Sequence, residues 1–197
     1  MYRTDIINTL ILNNNYKSYL EIGVRNPNDN FNKIICYDKI GVDPEPSSMA
    51  SHVMTSDDFF KTNLKTFDII FIDGLHLCEQ VLKDIHNSLK FLNDDGAIVC
   101  HDCLPNNESE QIEEYDGKSS WTGTVWKAIS FLRMTEQNLS IQVVDTDFGC
   151  GIITRGKQTL YPKTEISDMN WEYFSKNRNN LMNVISVQKF KILNSGE

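Results

Sequence analysis

The chain has 197 residues, of which 40% are hydrophobic, 10% aromatic and 23% charged, enough apolar material for one packed core and too much for a disordered chain. Its 27 Asp and Glu against 19 Lys and Arg leave a net charge of -8, which argues against nucleic acid as a partner, because that partnership relies on basic surface that displaces counterions. No apolar run approaches the ~20 residues of a bilayer span, the N-terminus lacks the uninterrupted apolar core of a cleavable signal, and five cysteines are an odd number in a chain too large to need staples. The expectation is a cytoplasmic protein with reduced thiols and no membrane partner, folded as one domain over residues 1–197.

Ile6, Ile7, Leu10 and Ile11 recur at helical spacing before Asn13-Asn14-Asn15, so residues 1–15 read as a covering helix. YKSYLEIGV then suits a buried strand ending near Gly23, and KIGVDP a second strand closed by Asp43 and Pro44. His52–Thr55 is short enough for a third strand, with Ser56 or Asp57 placed to cap a helical turn. TFDIIFIDG is a continuous apolar run of strand length that stops at Asp73-Gly74. Over residues 77–92, Leu77, Val81, Leu82, Ile85, Leu89 and Leu92 share one helix face, and NDDG ends it.

GAIVC is a further strand, ending at His101-Asp102, and a Ser/Glu/Asn-rich loop runs on to about Ser120, long enough to expect a functional role. Val125, Trp126, Ile129 and Leu132 mark the next helix. SIQVVDT and GCGIITR flank Asp147-Phe148-Gly149 as an antiparallel hairpin, and residues 158–197 read as a helical extension with pieces around Trp171 and over Val184–Ile192. Strands alternating with helices imply right-handed crossovers and an α/β fold: a mostly parallel, Rossmann-like sheet of seven strands, helices on both faces, and the antiparallel hairpin at the end.

Ligands of such sheets sit outside the carboxyl ends of the strands, which directs attention to Glu21-Ile22-Gly23, Asp43, Ser56-Asp57, Asp73 with His76, and His101-Asp102. Glycine after the first strand lets a cofactor approach the backbone, and an acid 20 residues on, Asp43, is placed to accept both hydroxyls of a ribose. NAD shares that spacing but needs a glycine-rich turn at its pyrophosphate, which RNPNDN does not supply. S-adenosylmethionine has no pyrophosphate and needs fewer glycines. Asp73, His101 and Asp102 lie at the ends of two strands expected to be adjacent, where they converge as a candidate site for a divalent cation, with Mg, Mn, Fe and Zn all chemically reasonable. Their alternative is to cap loops and touch cofactor or substrate directly.

These segments together resemble the class I S-adenosylmethionine-dependent methyltransferases, in particular the compact bacterial group linked to O-methylation of sugars and small molecules. YLEIGV is similar to that family's first motif, IGVDP to its second, TSDDFF to its third, FDIIFIDGLH to its fourth and GAIVCHD to its fifth, over roughly residues 16–156. The resemblance implies S-adenosylmethionine as cofactor, with Glu21 and Gly23 at its methionine end, Asp43 on the ribose, Ser56 and Asp57 beside adenine, and Asp73 facing cofactor as well as cation. It implies a small-molecule acceptor such as a sugar or glycan precursor, and His76 as general base where catechol-type relatives place a lysine. Asn26-Pro27-Asn28 stand where a second glycine is usual, so a module that keeps the fold without catalysis is the alternative, and an NAD-dependent enzyme the more remote one. His52 and His86 have no such company and read as structural, Cys100-x-x-Cys103 as an accidental spacing, Trp126 as core, and Trp121 either as packing or as a ring that stacks on the acceptor.

Overall fold

A computed structural model describes residues 1–117 and 120–195. Residues 118–119, inside the expected 104–120 loop, and 196–197, at the end of the expected extension, lie outside the described residues. Helix α1 (Arg3–Asn14) precedes β1 (Ser18–Ile22), β2 (Asp38–Asp43), β3 (His52–Val53), α2 (Ser56–Thr62), β4 (Phe67–Ile72), α3 (Cys78–Phe91) and β5 (Leu92–Cys100). After the loop come α4 (Val125–Thr135), β6 (Leu139–Val144), β7 (Cys150–Arg155), α5 (Trp171–Leu181), β8 (Val184–Ile185) and α6 (Val187–Leu193).

The strands form one sheet in the order β3-β2-β1-β4-β5-β7-β6-β8. Strands β1 to β5 pair in parallel, and β7 runs antiparallel to both of its neighbours, as the hairpin pattern predicts. The sheet has eight strands rather than the expected seven. Val184–Ile185, read from sequence as the start of a helix, instead pairs in parallel with β6, and α6 begins only after Ser186, whose hydroxyl accepts from the Lys189 N–H at 3.1 Å. A two-residue strand carries no periodicity, so only the partner edge reveals it. The C-terminal region is therefore not purely helical.

Strand β4 shows why its sequence is apolar from Ile69 to Ile72. Ile70 and Ile72 face one core with Val81, Ile85, Trp126 and Phe174, while Ile69 and Phe71 face a second core with Ile6, Ile7 and Phe190. Helices on both sides thus bury residues 69–72 of the strand, and period-two alternation disappears there. The chain order reverses between β1 and β4, which have β2 and β5 as their outer neighbours. The crevice above that reversal is where an open parallel sheet receives its ligands. No helix among the described residues is long and apolar enough to cross a membrane.

Candidate active site at the carboxyl edge of the sheet

A cavity of about 920 Å³ opens over this crevice, and its lining includes Glu21, Gly23, Asp43, Ser56, Asp57, Asp73, His76, His101 and Asp102. Every residue singled out from the sequence as a site residue therefore reaches one cavity. Gly23 adopts φ +88°, and a Cβ there would stand 2.2 Å from the Asp73 carbonyl oxygen. Glycine is required because the backbones leaving β1 and β4 touch.

The loop after Gly23 works without its second glycine. Arg25 takes the left-handed conformation at φ 49°, and its N–H donates to Asp43 Oδ2 at 2.8 Å. The Glu45 N–H donates to Asp43 Oδ1, also at 2.8 Å, so each oxygen keeps accepting capacity toward the cavity. Arginine in that conformation costs about 1 kcal/mol relative to glycine, a cost the rest of the loop offsets.

Glu21 is buried on β1 beside Tyr19, whose hydroxyl donates a short hydrogen bond to Glu21 Oε2. The Asn30 amide donates to the same oxygen at 3.0 Å, and Thr4 of α1 donates to Asn30 Oδ1 at 2.7 Å. Burial pushes the Glu21 carboxyl up to about 7 despite these donors. Ser56 and Asp57 open α2, although the cap is Thr55, whose hydroxyl accepts from the Asp58 N–H at 3.2 Å. That corrects the expectation of Ser56 or Asp57 as cap and leaves both side chains free to meet α3. Gln80 Nε2 lies 3.3 Å from Ser56 Oγ, 3.2 Å from Asp57 Oδ1 and 3.1 Å from Asp84 Oδ1. Burial raises the Asp84 carboxyl to about 6.

At the ends of β4 and β5 four side chains close into a ring. His76 Nε2 is 3.3 Å from Asp73 Oδ1 and 3.4 Å from Asp102 Oδ2, and His101 Nδ1 is 3.3 Å from each of the same two oxygens. The strand ends hold the ring in place: the Asp73 N–H donates to the Ile22 carbonyl at 2.8 Å and the His101 N–H to the Ile72 carbonyl at 3.0 Å. Asp102 adopts φ 59°, a strained conformation for a residue other than glycine and one that marks sites where a side chain must be aimed. His101 is 5% exposed, and its Nδ1 makes no hydrogen bond of acceptable geometry.

His76 Nδ1 faces the Trp121 carbonyl at 3.0 Å, and the two rings stack with centroids 4.9 Å apart. The expected base therefore sits inside the ring of acids. Burial alone would lower its pKa, but the hydrogen bond to Asp73 and the charges of Asp102 and Asp73 outweigh burial and raise it. A raised pKa makes the ring hold its proton more tightly than a free imidazole does, so it takes a hydroxyl proton less readily. The Asp73 carboxyl resists burial and is held well below the usual carboxylate range by His101 and His76.

Two further groups escaped the sequence reading. Arg3, on the first turn of α1, places Nη1 3.2 Å from His101 Nε2, with Nε 3.8 Å from Asp73 Oδ2. Asp147, in the β6–β7 turn, places Oδ2 3.4 Å from His101 Nε2 and 3.3 Å from Arg3 Nη1; despite its burial, His101 and Arg3 lower its carboxyl to about 2. No spacing links residues 3, 101 and 147. Only the left-handed Asp147 and Phe148 of the turn hint at a special position, since Phe148 is bulky for that conformation and its side of the turn lines the cavity. His52 packs edge-on against Phe59, His86 is exposed, Trp126 is fully buried, and Cys100 and Cys103 are free buried thiols, all as expected.

Residues 34–103 match the family model described as a methyltransferase domain. Among solved structures, a Staphylococcus aureus protein described as a caffeoyl-CoA O-methyltransferase superposes with a TM-score of 0.62 at 17% identity, covering 78% of this chain and 82% of that one. The O-methyltransferase TomG from Streptomyces achromogenes, solved with S-adenosylmethionine, gives 0.56 at 13% identity over 77% and 78%. The chain has the fold of these methyltransferases. N-methyltransferase NodS from Bradyrhizobium japonicum also superposes, with a TM-score of 0.52 at 17% identity over 79% of this chain and 94% of that one. At these identities the likeness is one of fold, and it spans enzymes named for different acceptor atoms. No curated protein gives a significant sequence match. The matched segment contains Asp43, Ser56, Asp57, Asp73, His76, His101 and Asp102, while Arg3, Glu21, Gly23, Trp121 and Asp147 lie outside it.

Proposed function

We propose that this methyltransferase domain moves the methyl group of S-adenosylmethionine to a hydroxyl of a small polar acceptor such as a sugar or glycan precursor. The observation that carries the reading is Asp43, pinned by the N–H groups of Arg25 and Glu45 at the end of β2 with its remaining lone pairs toward the cavity, beside the close approach at Gly23. A nucleoside ribose fits that arrangement, and the absence of a glycine-rich turn favours a cofactor without pyrophosphate. Ser56 and Asp57 then fall where an adenine edge would lie, and Glu21 where the methionine portion would lie. TomG and its bound S-adenosylmethionine support the same choice by analogy of fold.

The sulfonium is already activated, so catalysis consists mainly of holding the acceptor oxygen in line with the methyl carbon and removing the hydroxyl proton. The new O–C bond forms as the S–C bond breaks, the bonding pair returns to sulfur, the hydroxyl proton passes to water, and S-adenosylhomocysteine leaves. Asp73, His101 and Asp102 fit a divalent cation, because His101 Nδ1 is a buried polar atom that lacks a hydrogen-bond partner and faces both acids. Such a cation supplies Lewis acidity that makes a bound hydroxyl easier to ionise. Trp121 and Phe148 supply apolar walls that exclude water from the cavity. Calorimetry with S-adenosylmethionine, followed by transfer of labelled methyl to a panel of sugars and other hydroxyl compounds, tests the reading. Binding without transfer to any acceptor would favour a non-catalytic module, and nicotinamide cofactor binding in place of S-adenosylmethionine would overturn it.

A further inference from the structure

The ring at the β4 and β5 ends has a composition unlike an oxygen-only cation site. Two imidazole nitrogens and two carboxylate oxygens alternate around it, with all four N···O edges between 3.3 and 3.4 Å. Edges of that length correspond to a donor-to-centre distance of about 2.0 Å in a tetrahedral arrangement, the range of first-row dications with nitrogen and oxygen ligands, and ligand atoms of Asp73, His76 and Asp102 all lie within 4.8 Å of one another. Each imidazole also has an acceptor waiting at its other nitrogen. The Trp121 carbonyl stands at His76 Nδ1, and Asp147 Oδ2 stands at His101 Nε2. With a proton on His76 Nδ1, and one on His101 Nε2 directed at Asp147 in place of the Arg3 Nη1 contact at 3.2 Å, Nε2 of His76 and Nδ1 of His101 both turn bare lone pairs toward the same two oxygens. This outer support of ring orientation is typical of histidines that bind metal.

We infer that Asp73, His76, His101 and Asp102 form a two-imidazole, two-carboxylate site for a borderline first-row dication, of the Fe²⁺, Co²⁺ or Zn²⁺ class, in preference to Mg²⁺. Mg²⁺ favours oxygen and retained water, whereas imidazole nitrogen strengthens binding of the later first-row ions. His76 thereby becomes a ligand instead of a base. Arg3 Nη1, 3.2 Å from His101 Nε2, lies outside the ring and stays paired with Asp147 when His101 ligates through Nδ1. The inference deepens the proposed function, but it is measured on the full-length protein without cofactor or acceptor. Metal binding without methyl transfer would count against that function and leave the ligand set standing.

The test starts from chelator-dialysed protein, titrated separately with Zn²⁺ and Mg²⁺ by calorimetry and with Co²⁺ by visible absorption. One Zn²⁺ per chain should bind about 10³-fold more tightly than Mg²⁺, and Co²⁺ should give visible d–d bands without the near-ultraviolet charge transfer of a thiolate ligand. His76→Ala and His101→Ala should each weaken Zn²⁺ by about tenfold or more and alter the Co²⁺ bands, while His101→Asp should shrink the Zn²⁺-to-Mg²⁺ ratio. Should the His101 variants not fold, the unmodified protein's spectrum and His76→Ala decide alone. Failure to bind Zn²⁺, a ratio near unity, histidine variants with unchanged metal binding, or a thiolate band that moves the ion to Cys150, which with His101 and Asp147 makes a neighbouring set of ligand atoms within 4.8 Å of one another, would each overturn the inference.

Discussion

The two halves of the cavity are built in different ways. The half over β1 to β3 rests on short-range backbone geometry, with Gly23 against Asp73, the Arg25 and Glu45 N–H groups on Asp43, and the start of α2. The half over β4 and β5 is assembled from side chains of distant segments: Arg3 on α1, His76 before α3, His101-Asp102 after β5, Trp121 before α4 and Asp147 in the hairpin turn. A backbone cradle tolerates side-chain variation, while a side-chain ring fails when one member changes. The contrast fits a common cofactor on one side and a particular acceptor on the other.

The strongest challenge to the first half is Gly23→Ala. A methyl group 2.2 Å from the Asp73 carbonyl, at φ +88°, forces the two loops apart, with an expected loss of about 4 kcal/mol or more in denaturant unfolding. A fully stable variant would show that the cradle is softer than drawn. Next in size is Asp73→Asn, which removes a charge from the side-chain ring and should lower kcat by about 10²-fold with cofactor affinity little changed, as read by steady-state kinetics beside calorimetry. An equal loss of cofactor affinity would blur the division between halves.

Glu21 yields a pH prediction of about 3 kcal/mol, the scale set by a carboxyl moved from its ordinary value to about 7. Because its folded pKa is raised, the folded state holds the proton longer than the unfolded chain does, so stability declines as pH rises from about 4.5 to about 7. Glu21→Gln should remove that decline, and unfolding curves at pH 5 and pH 8 should show the variant gaining most at pH 8. Asp43→Ala should weaken S-adenosylmethionine binding by about 1 to 3 kcal/mol in calorimetry. The smallest effect is expected from Arg25→Gly: the side chain is 87% exposed, so relief of the left-handed strain should stabilise the fold by less than about 1 kcal/mol and leave binding intact.

The same division sets what the sequence made legible. Gly23, Asp43 and Asp73 are readable because strand ends in a parallel sheet announce themselves through apolar runs that stop abruptly at an acid or glycine. Arg3 and Asp147 are silent because their roles depend on the packing of α1 and the hairpin against one strand end, which no local pattern encodes. His76 was legible as a site residue but not in its direction: its ring is turned by the Trp121 carbonyl, 45 positions away in the chain. Glu21 was visible as a strand-end acid, while its partners Asn30 and Thr4 come from a loop and a helix whose contact with β1 is tertiary. Strand β8 stayed hidden for the same reason, since two residues acquire a conformation only from the edge they join.

The attachment of α1 to the hairpin turn bears on the order in which the molecule is made. The Arg3 N–H donates to Asp147 Oδ2 at 2.9 Å, and the Thr146 hydroxyl donates to the Met1 carbonyl at 2.5 Å, so the start of α1 closes against residues that emerge from the ribosome far later than it does. During synthesis β1 to β5 can pair while Arg3 still lacks its partner, and the ring around His101 stays open on one side until the hairpin arrives. A nascent chain halted before the turn would therefore hold the backbone cradle around Gly23 and Asp43 ahead of the completed side-chain ring.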